Sequence, residues 1–162
     1  MSERRAPRDE SGSGDSRPSP LPSEGRLLAL DIGQRRIGLA VSDPTQTVSQ
    51  PLATLTRRAG KRFPIRALLS HVEAQRAVGV VIGLPVSPGG TEDERAAQAR
   101  AVGTLVHEKT HLPIDFWDER MTTARVLATA KEMGSGTRGR KEDIDRLAAT
   151  VLLQTYLESR RP

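Results

Sequence analysis

Three acidic positions have the setting that metal-assisted chemistry needs. Asp31 ends the apolar run Leu27-Leu28-Ala29-Leu30 and is followed by Ile32-Gly33. A carboxylate after such a run is costly to bury unless it is paired or binds a cation. The plain alternative is an Asp in a turn between two strands. Asp118-Glu119 directly follow Phe116-Trp117 and precede Thr122 and Thr123. Side chains alternate along a strand, so only one of these two acids shares a face with the site; either could instead favour the dipole of a following helix. On the last helix, at about 100° per residue, Asp145 falls between Leu152 and Tyr156 and beside Ala149 on the apolar stripe, whereas Asp143 points away. A carboxylate alone on that stripe is neutralised or paired with an Arg. Brought together, Asp31, Glu119 and Asp145 repel one another unless a cation sits among them. An oxygen-only set suits Mg²⁺ or Mn²⁺.

The elements that must position these acids follow from periodicity. Leu27–Leu30 reads as a central strand buried on both faces, and Ile37, Leu39 and Val41 as a second strand with period two. Gln46 to Thr56 reads as a third, with Pro51 placing it at an edge or a bulge. The short connections predict an antiparallel meander. The period then changes to helical at Ile65, Leu68, Leu69 and Val72, with Pro64 at the start. Ala77 to Ile82 is a buried strand, and Thr91 and Glu94 have capping-box spacing for a helix through Ala99, Val102, Gly103 and Val106. Ile114 to Trp117 is a fifth strand. Thr122 or Thr123 caps the next helix, Gly134-Ser135-Gly136-Thr137 opens a basic loop, and a final helix spans about Glu142 to Glu158.

Composition bounds the possibilities. A chain of 162 residues is expected to form one globular domain, and 2% aromatics leave the core to Leu, Val, Ile and Ala. There is no Cys, which removes disulfides, thiolate zinc sites and cysteine nucleophiles and fits a reducing cytoplasm. No apolar run has the roughly 18 residues that a membrane helix needs, and no secretory signal is expected. Residues 1–25 are rich in Ser, Pro, Gly and charge and are expected to be a disordered tail, with the folded domain over 26–160. Residues 26–162 hold 21 basic against 15 acidic residues. Arg57, Arg58, Lys61, Arg62 and Arg66 form one cluster; Lys131, Arg138, Arg140 and Lys141 form another. Such clusters favour phosphate backbones, although solvated surface is the simpler reading.

Two motifs are set aside. His107-Glu108-Lys109-Thr110-His111 matches H-E-x-x-H, but Pro113 ends the helix near His111, and His71 is the only other His. Gly33 to Gly38 lacks the Lys-Ser/Thr continuation of a phosphate-binding P-loop, because Leu39-Ala40 follow.

Four stretches resemble, in order, the motifs of the YqgF/RuvX family. They are Leu30-Asp31-Ile32-Gly33 with Arg36 to Asp43; Val81 to Pro85; Asp118 to Thr123; and Ile144-Asp145 with Ala148-Ala149 and Leu152 to Leu157. The match covers roughly residues 26–158. The resemblance implies an α/β RNase H-like fold related to RuvC resolvases. Its mixed five-stranded sheet would have strands 1–3 antiparallel and strands 4–5 parallel, flanked by helices. It further implies a divalent-metal-dependent endonuclease with Asp31, Glu119 and Asp145 as catalytic and metal-binding carboxylates. One ion would activate water and the other would stabilise the departing 3′ oxygen, leaving 5′-phosphate ends. Arg36, Arg120, Thr122, Thr123, Arg138, Arg140 and Lys141 are the expected nucleic-acid contacts, without base readout. The implied substrates are Holliday junction DNA or the 5′ end of pre-16S rRNA, and symmetric cutting of a junction would favour a homodimer. Asp118, Asp143 or a substrate phosphate is left as the candidate for a fourth ligand. The competing readings are a non-catalytic nucleic-acid-binding module in RNA or transcription metabolism, which three retained acids oppose, and an actin-like kinase, which needs two such domains.

Overall fold

The computed structural model describes residues 20–57, 62–122 and 140–161, with the side chains of 140–142 outside that description. The element order is β1 (Leu27–Ile32), β2 (Arg36–Ser42), β3 (Ser49–Thr56), α1 (Ile65–Gln75), β4 (Gly79–Leu84), α2 (Glu94–Thr110), β5 (Ile114–Asp118), a 3-10 turn (Glu119–Met121) and α3 (Arg140–Ser159). The strands form one sheet in the order β3-β2-β1-β4-β5. β1, β2 and β3 pair antiparallel, whereas β4 joins β1, and β5 joins β4, in parallel. The expected mixed sheet is therefore present. β3 lies at one edge, and its register shifts opposite Leu39/Ala40, where Pro51 removes a ladder donor.

Each central strand is buried on both faces, and alternation divides its side chains between two cores. Leu28, Leu30, Val80 and Ile82 pack with Leu68 and Val72 of α1 and with Ala96, Ala99, Val102 and Val106 of α2. Leu27, Ala29, Ala40 and Val81 face the opposite way, against Ala149, Leu152, Leu153, Tyr156 and Leu157 of α3. No described helix is long and apolar enough to cross a membrane.

Two boundaries differ from expectation. α2 is capped by Asp93, whose side chain accepts from the backbone N–H groups of Arg95 and Ala96, rather than by Thr91. Thr91 N instead donates to Ser87 Oγ in the preceding loop. The packed body also starts before Arg26. Leu21 is 5% exposed, lies against Gly79 and joins the α3-side core. Around it, Gln46 Nε2 donates to the carbonyls of Pro22 and Gly25, and Arg160 donates to those of Leu21 and Pro22. One apolar residue in a Ser/Pro/Gly-rich stretch gives no periodicity, so its burial has no local signature. Residues 1–19 of the expected tail lie outside the described residues. Leu21→Ala is expected to cost about 2 kcal/mol, the low end for a buried Leu because the chain end relaxes into the gap. Thermal melting should show a fall of roughly 6 °C; an unchanged melting temperature would return this segment to the tail.

Candidate active site

The sheet's two-residue period carries the acids to one face. Leu27 and Ala29 of β1 face α3, so Asp31 follows them to that side. On β5, Asp115 receives the Tyr156 hydroxyl at 2.7 Å, and Trp117 meets the Tyr156 ring edge-on at 5.6 Å. Glu119 continues that parity just past the strand end. β4 stands between β1 and β5, so Glu119 has to reach across it. Gly83 provides the passage: a Cβ there would lie 3.0 Å from Glu119 Oε1 and 2.5 Å from Leu152 Cδ1. Asp145 arrives from above on α3, which crosses β2 at Gly38, the register partner of Asp31. A Cβ on Gly38 would fall 2.0 Å from the Asp145 carbonyl oxygen. Asp31 and Glu119 thus lie at the carboxyl ends of β1 and β5, with the main chain of Asp145 against Gly38 beside Asp31, at the usual location of ligand sites in open α/β sheets.

Burial and neighbouring charge act on two of the three. Burial first, then the charges of Glu119 and Asp145 and a hydrogen bond with Glu119, push the Asp31 carboxyl up to about 7. Glu119 is also raised, chiefly by burial, while Arg95 and the hydrogen bond with Asp31 act in the opposite direction. Both shifts favour the neutral form of the carboxyl, as burial and a like charge nearby require. Asp145 is held differently: its Oδ2 accepts from Arg36 Nε at 2.6 Å. Among the described residues no group of three or more Asp, Glu or His side chains is arranged to hold a metal ion. The donor set nonetheless fits a hard divalent cation. It contains only carboxylate oxygens, and a cation among them would relieve their mutual repulsion.

The other sequence candidates separate cleanly. Asp118 pairs with Arg120 at 2.7 Å, and that guanidinium holds its carboxyl below the usual range. Asp143 is 63% exposed and pairs with Arg146, as the helical register of α3 requires. Both potential fourth ligands therefore have cationic partners. Arg36 stands beside Asp145, and Arg120 is spread between Asp118 and the Ser87 carbonyl. Thr122 is buried, and its hydroxyl has no partner among the described residues, so it does not present a donor at the surface. Thr123, Arg138, the helix expected after Thr123 and the Gly134–Thr137 loop lie outside the described residues, as do the side chains of Arg140 and Lys141. His107 Nδ1–H donates to the Leu112 carbonyl at 2.8 Å, and His111 is the C-cap with φ 59°, so H-E-x-x-H does not sit on one helix.

Arg95 is the residue the sequence reading missed. It is the cation whose charge acts on both Asp31 and Glu119. Nothing local marks it, since it reads as one more surface Arg in the first turn of α2.

Comparison with known proteins shows what the chain is similar to. A family model described as RuvX, Holliday junction resolvase, matches residues 25–159. A protein of Koribacter versatilis named "Putative pre-16S rRNA nuclease" is 39% identical over 141 residues, covering 87% of this chain and 92% of its own. A protein of the same name from Phenylobacterium zucineum is 40% identical over 146 residues, covering 89% and 93%. In fold, the chain is similar to T. thermophilus RuvC solved with a Holliday junction substrate, at a TM-score of 0.51 and 12% identity, over 84% of this chain and 96% of that one. Fowlpox virus resolvase bound to Holliday junction DNA gives 0.51 at 10% identity, over 83% and 97%. With its RNase H-like sheet and motifs in place from end to end, the chain belongs to the RuvX family of Holliday junction resolvases.

Proposed function

We propose that this nuclease hydrolyses phosphodiester bonds with Mg²⁺ or Mn²⁺ held by Asp31, Glu119 and Asp145, and that its substrate is the 5′ end of precursor 16S rRNA. The observation that carries the reading is the contact of Asp31 with Glu119 beside the charge of Asp145, three acids from three separate elements. When bound, divalent metal supplies an acidic water and charge stabilisation at the leaving oxygen. The chain's own residues set the stage for this. Asp31, on the central strand, would hold the metal together with Glu119 and Asp145. Arg36 fixes the Asp145 side chain until a cation competes for it, and then becomes available to a substrate phosphate. Arg95 moderates the repulsion within the acid pair. The names of relatives 36–40% identical to this chain support the RNA substrate. A second reading, the four-way DNA junction cut by a homodimer, is favoured by the description of the matching family model.

The test offers purified protein a pre-16S leader RNA and a four-way DNA junction side by side, with Mg²⁺, Mn²⁺ or EDTA. Cleavage of the RNA at the mature 5′ end, lost in EDTA, is expected. Cutting of the junction alone, in symmetric strands by a dimer, would replace the substrate assignment. Undiminished cleavage in EDTA would overturn the metal.

A further inference from the structure

Next to the carboxylates the surface opens into a basic cavity of about 450 Å³. Three elements wall it: Gly33, Gln34 and Arg35 from the β1–β2 turn, Arg57 just past β3, and Glu94 and Arg95 from the first turn of α2. Three guanidinium groups thus face one carboxylate. Among the described residues none of these arginines is in ion-pair contact with an acid, whereas Arg36, Arg100, Arg120 and Arg146 all are.

The cavity is shaped by the turn rather than by chance side-chain positions. Gly33 N donates to the Arg36 carbonyl at 2.9 Å, and a Cβ on Gly33 would lie 2.7 Å from that oxygen, so the turn closes only around glycine. Arg57 is tied to the same turn twice: its N donates to the Arg35 carbonyl at 2.9 Å, and its Nε to the Gln34 carbonyl at 2.8 Å. One edge of the guanidinium is thereby anchored, leaving its terminal nitrogens as donors for another acceptor. Arg95 stands at the border with the acid pair, since its charge reaches Asp31 and Glu119. The N-terminus of α2 plays no part, because Asp93 already accepts from its first free N–H groups.

We propose that Arg35, Arg57 and Arg95 form a subsite that binds a backbone phosphate of the nucleic acid adjacent to the phosphate that is cut. The inference rests on the nuclease reading above and names where the strand runs past the acids. Guanidinium forks match phosphate oxygens and are the usual choice for that ligand. No aromatic ring lines the cavity, so it has no stacking platform for a base. Contact of this kind positions the strand without reading sequence. Arg57 also gives a purpose to the first residue of the basic cluster that runs to Arg66.

The experiment compares wild type with the double variant Arg35→Gln/Arg57→Gln and with Arg95→Gln. Because these are surface positions, melting temperatures should stay within about 2 °C of wild type. Binding of a fluorescein-labelled four-way junction and of the leader RNA is followed by anisotropy in EDTA, where no cleavage is needed. The double variant should bind at least tenfold more weakly, with a log K against log salt slope shallower by about 1, as loss of one phosphate contact requires. In cleavage it should raise KM with kcat nearly unchanged, while Arg95→Gln changes both. Substrates carrying one neutral methylphosphonate next to the cut site then locate the contact. Wild type should lose affinity at one flanking position, and the double variant should show no further loss there. Unaltered binding and slope in the variants, or penalties that simply add, would overturn the subsite even if wild type cuts well. Inorganic phosphate displacing the nucleic acid at micromolar concentration would also overturn it, in favour of a site for the free ion. A wild type that shows the flanking penalty yet never cuts would overturn the nuclease reading and leave the backbone contact standing.

Discussion

Asp31→Asn, Glu119→Gln and Asp145→Asn are each expected to lower cleavage by on the order of 10³-fold, whereas Asp143→Asn and Asp118→Asn stay within a few fold. The size follows from removing several kcal/mol of metal-borne charge stabilisation, at 1.36 kcal/mol per tenfold in rate. The contrast follows from geometry: Asp143 pairs with Arg146 at the surface and Asp118 with Arg120, away from the three that converge. Asp31→Asn should also make the metal-free protein more stable, which separates lost chemistry from lost folding. The Asp31 carboxyl is raised from 3.8 to about 7. Between those values the unfolded chain releases a proton that the folded chain keeps, so stability falls as pH rises through that window and is level above it. In the Asn variant this fall should be smaller, leaving the part that the buried Glu119 contributes, and Mg²⁺ should no longer raise the melting temperature. Equal cleavage by wild type and the Asp31 variant would remove the site. A variant that melts lower than wild type at pH 8 without metal would contradict the burial argument.

The faces these acids occupy follow periods that their own elements define, although between Asp118 and Glu119 the period alone left the choice open and the family resemblance made it. Asp31 extends the alternation of Leu27 and Ala29, Glu119 that of Asp115 and Trp117, and Asp145 shares the stripe of Ala149, Leu152 and Tyr156. A strand or helix period is local, so parity and register carry over into three dimensions. The antiparallel meander of β1 to β3 is equally legible, since short links demand antiparallel neighbours, whereas the placement of β4 beside β1 is not. What did not show is whatever one element does to another. Arg95 reaches the acid pair from a helix on the opposite face of the sheet, and Leu21 fills a space that Gly79 leaves. Arg36, expected to face nucleic acid, is found holding Asp145. The sequence reading had named an Arg partner as the ordinary fate of a buried Asp on that stripe without identifying which Arg it would be.

Gly38 is the clearest case of such a contact, and replacing it should damage both fold and chemistry. Gly38→Ala would put a methyl group 2.0 Å from the Asp145 carbonyl oxygen and 2.6 Å from its carbon. Those atoms belong to helix backbone, so they do not swing aside as a side-chain end would. α3 therefore has to lift off β2, opening the core that Ala149, Leu152 and Leu153 make with Leu27, Ala29 and Ala40. Overpacking of this kind costs about 3 kcal/mol at the upper end of the usual range, which corresponds to a melting temperature lower by roughly 10 °C. The same displacement carries Asp145 away from Asp31, so cleavage at a temperature where the variant is fully folded should still fall at least tenfold. Gly89→Ala is the control, because a Cβ there meets nothing within 4 Å and both readouts should match wild type. If Gly38→Ala melts and cuts as Gly89→Ala does, α3 does not lie on β2 at this point, and the placement of Asp145 beside Asp31 fails with it.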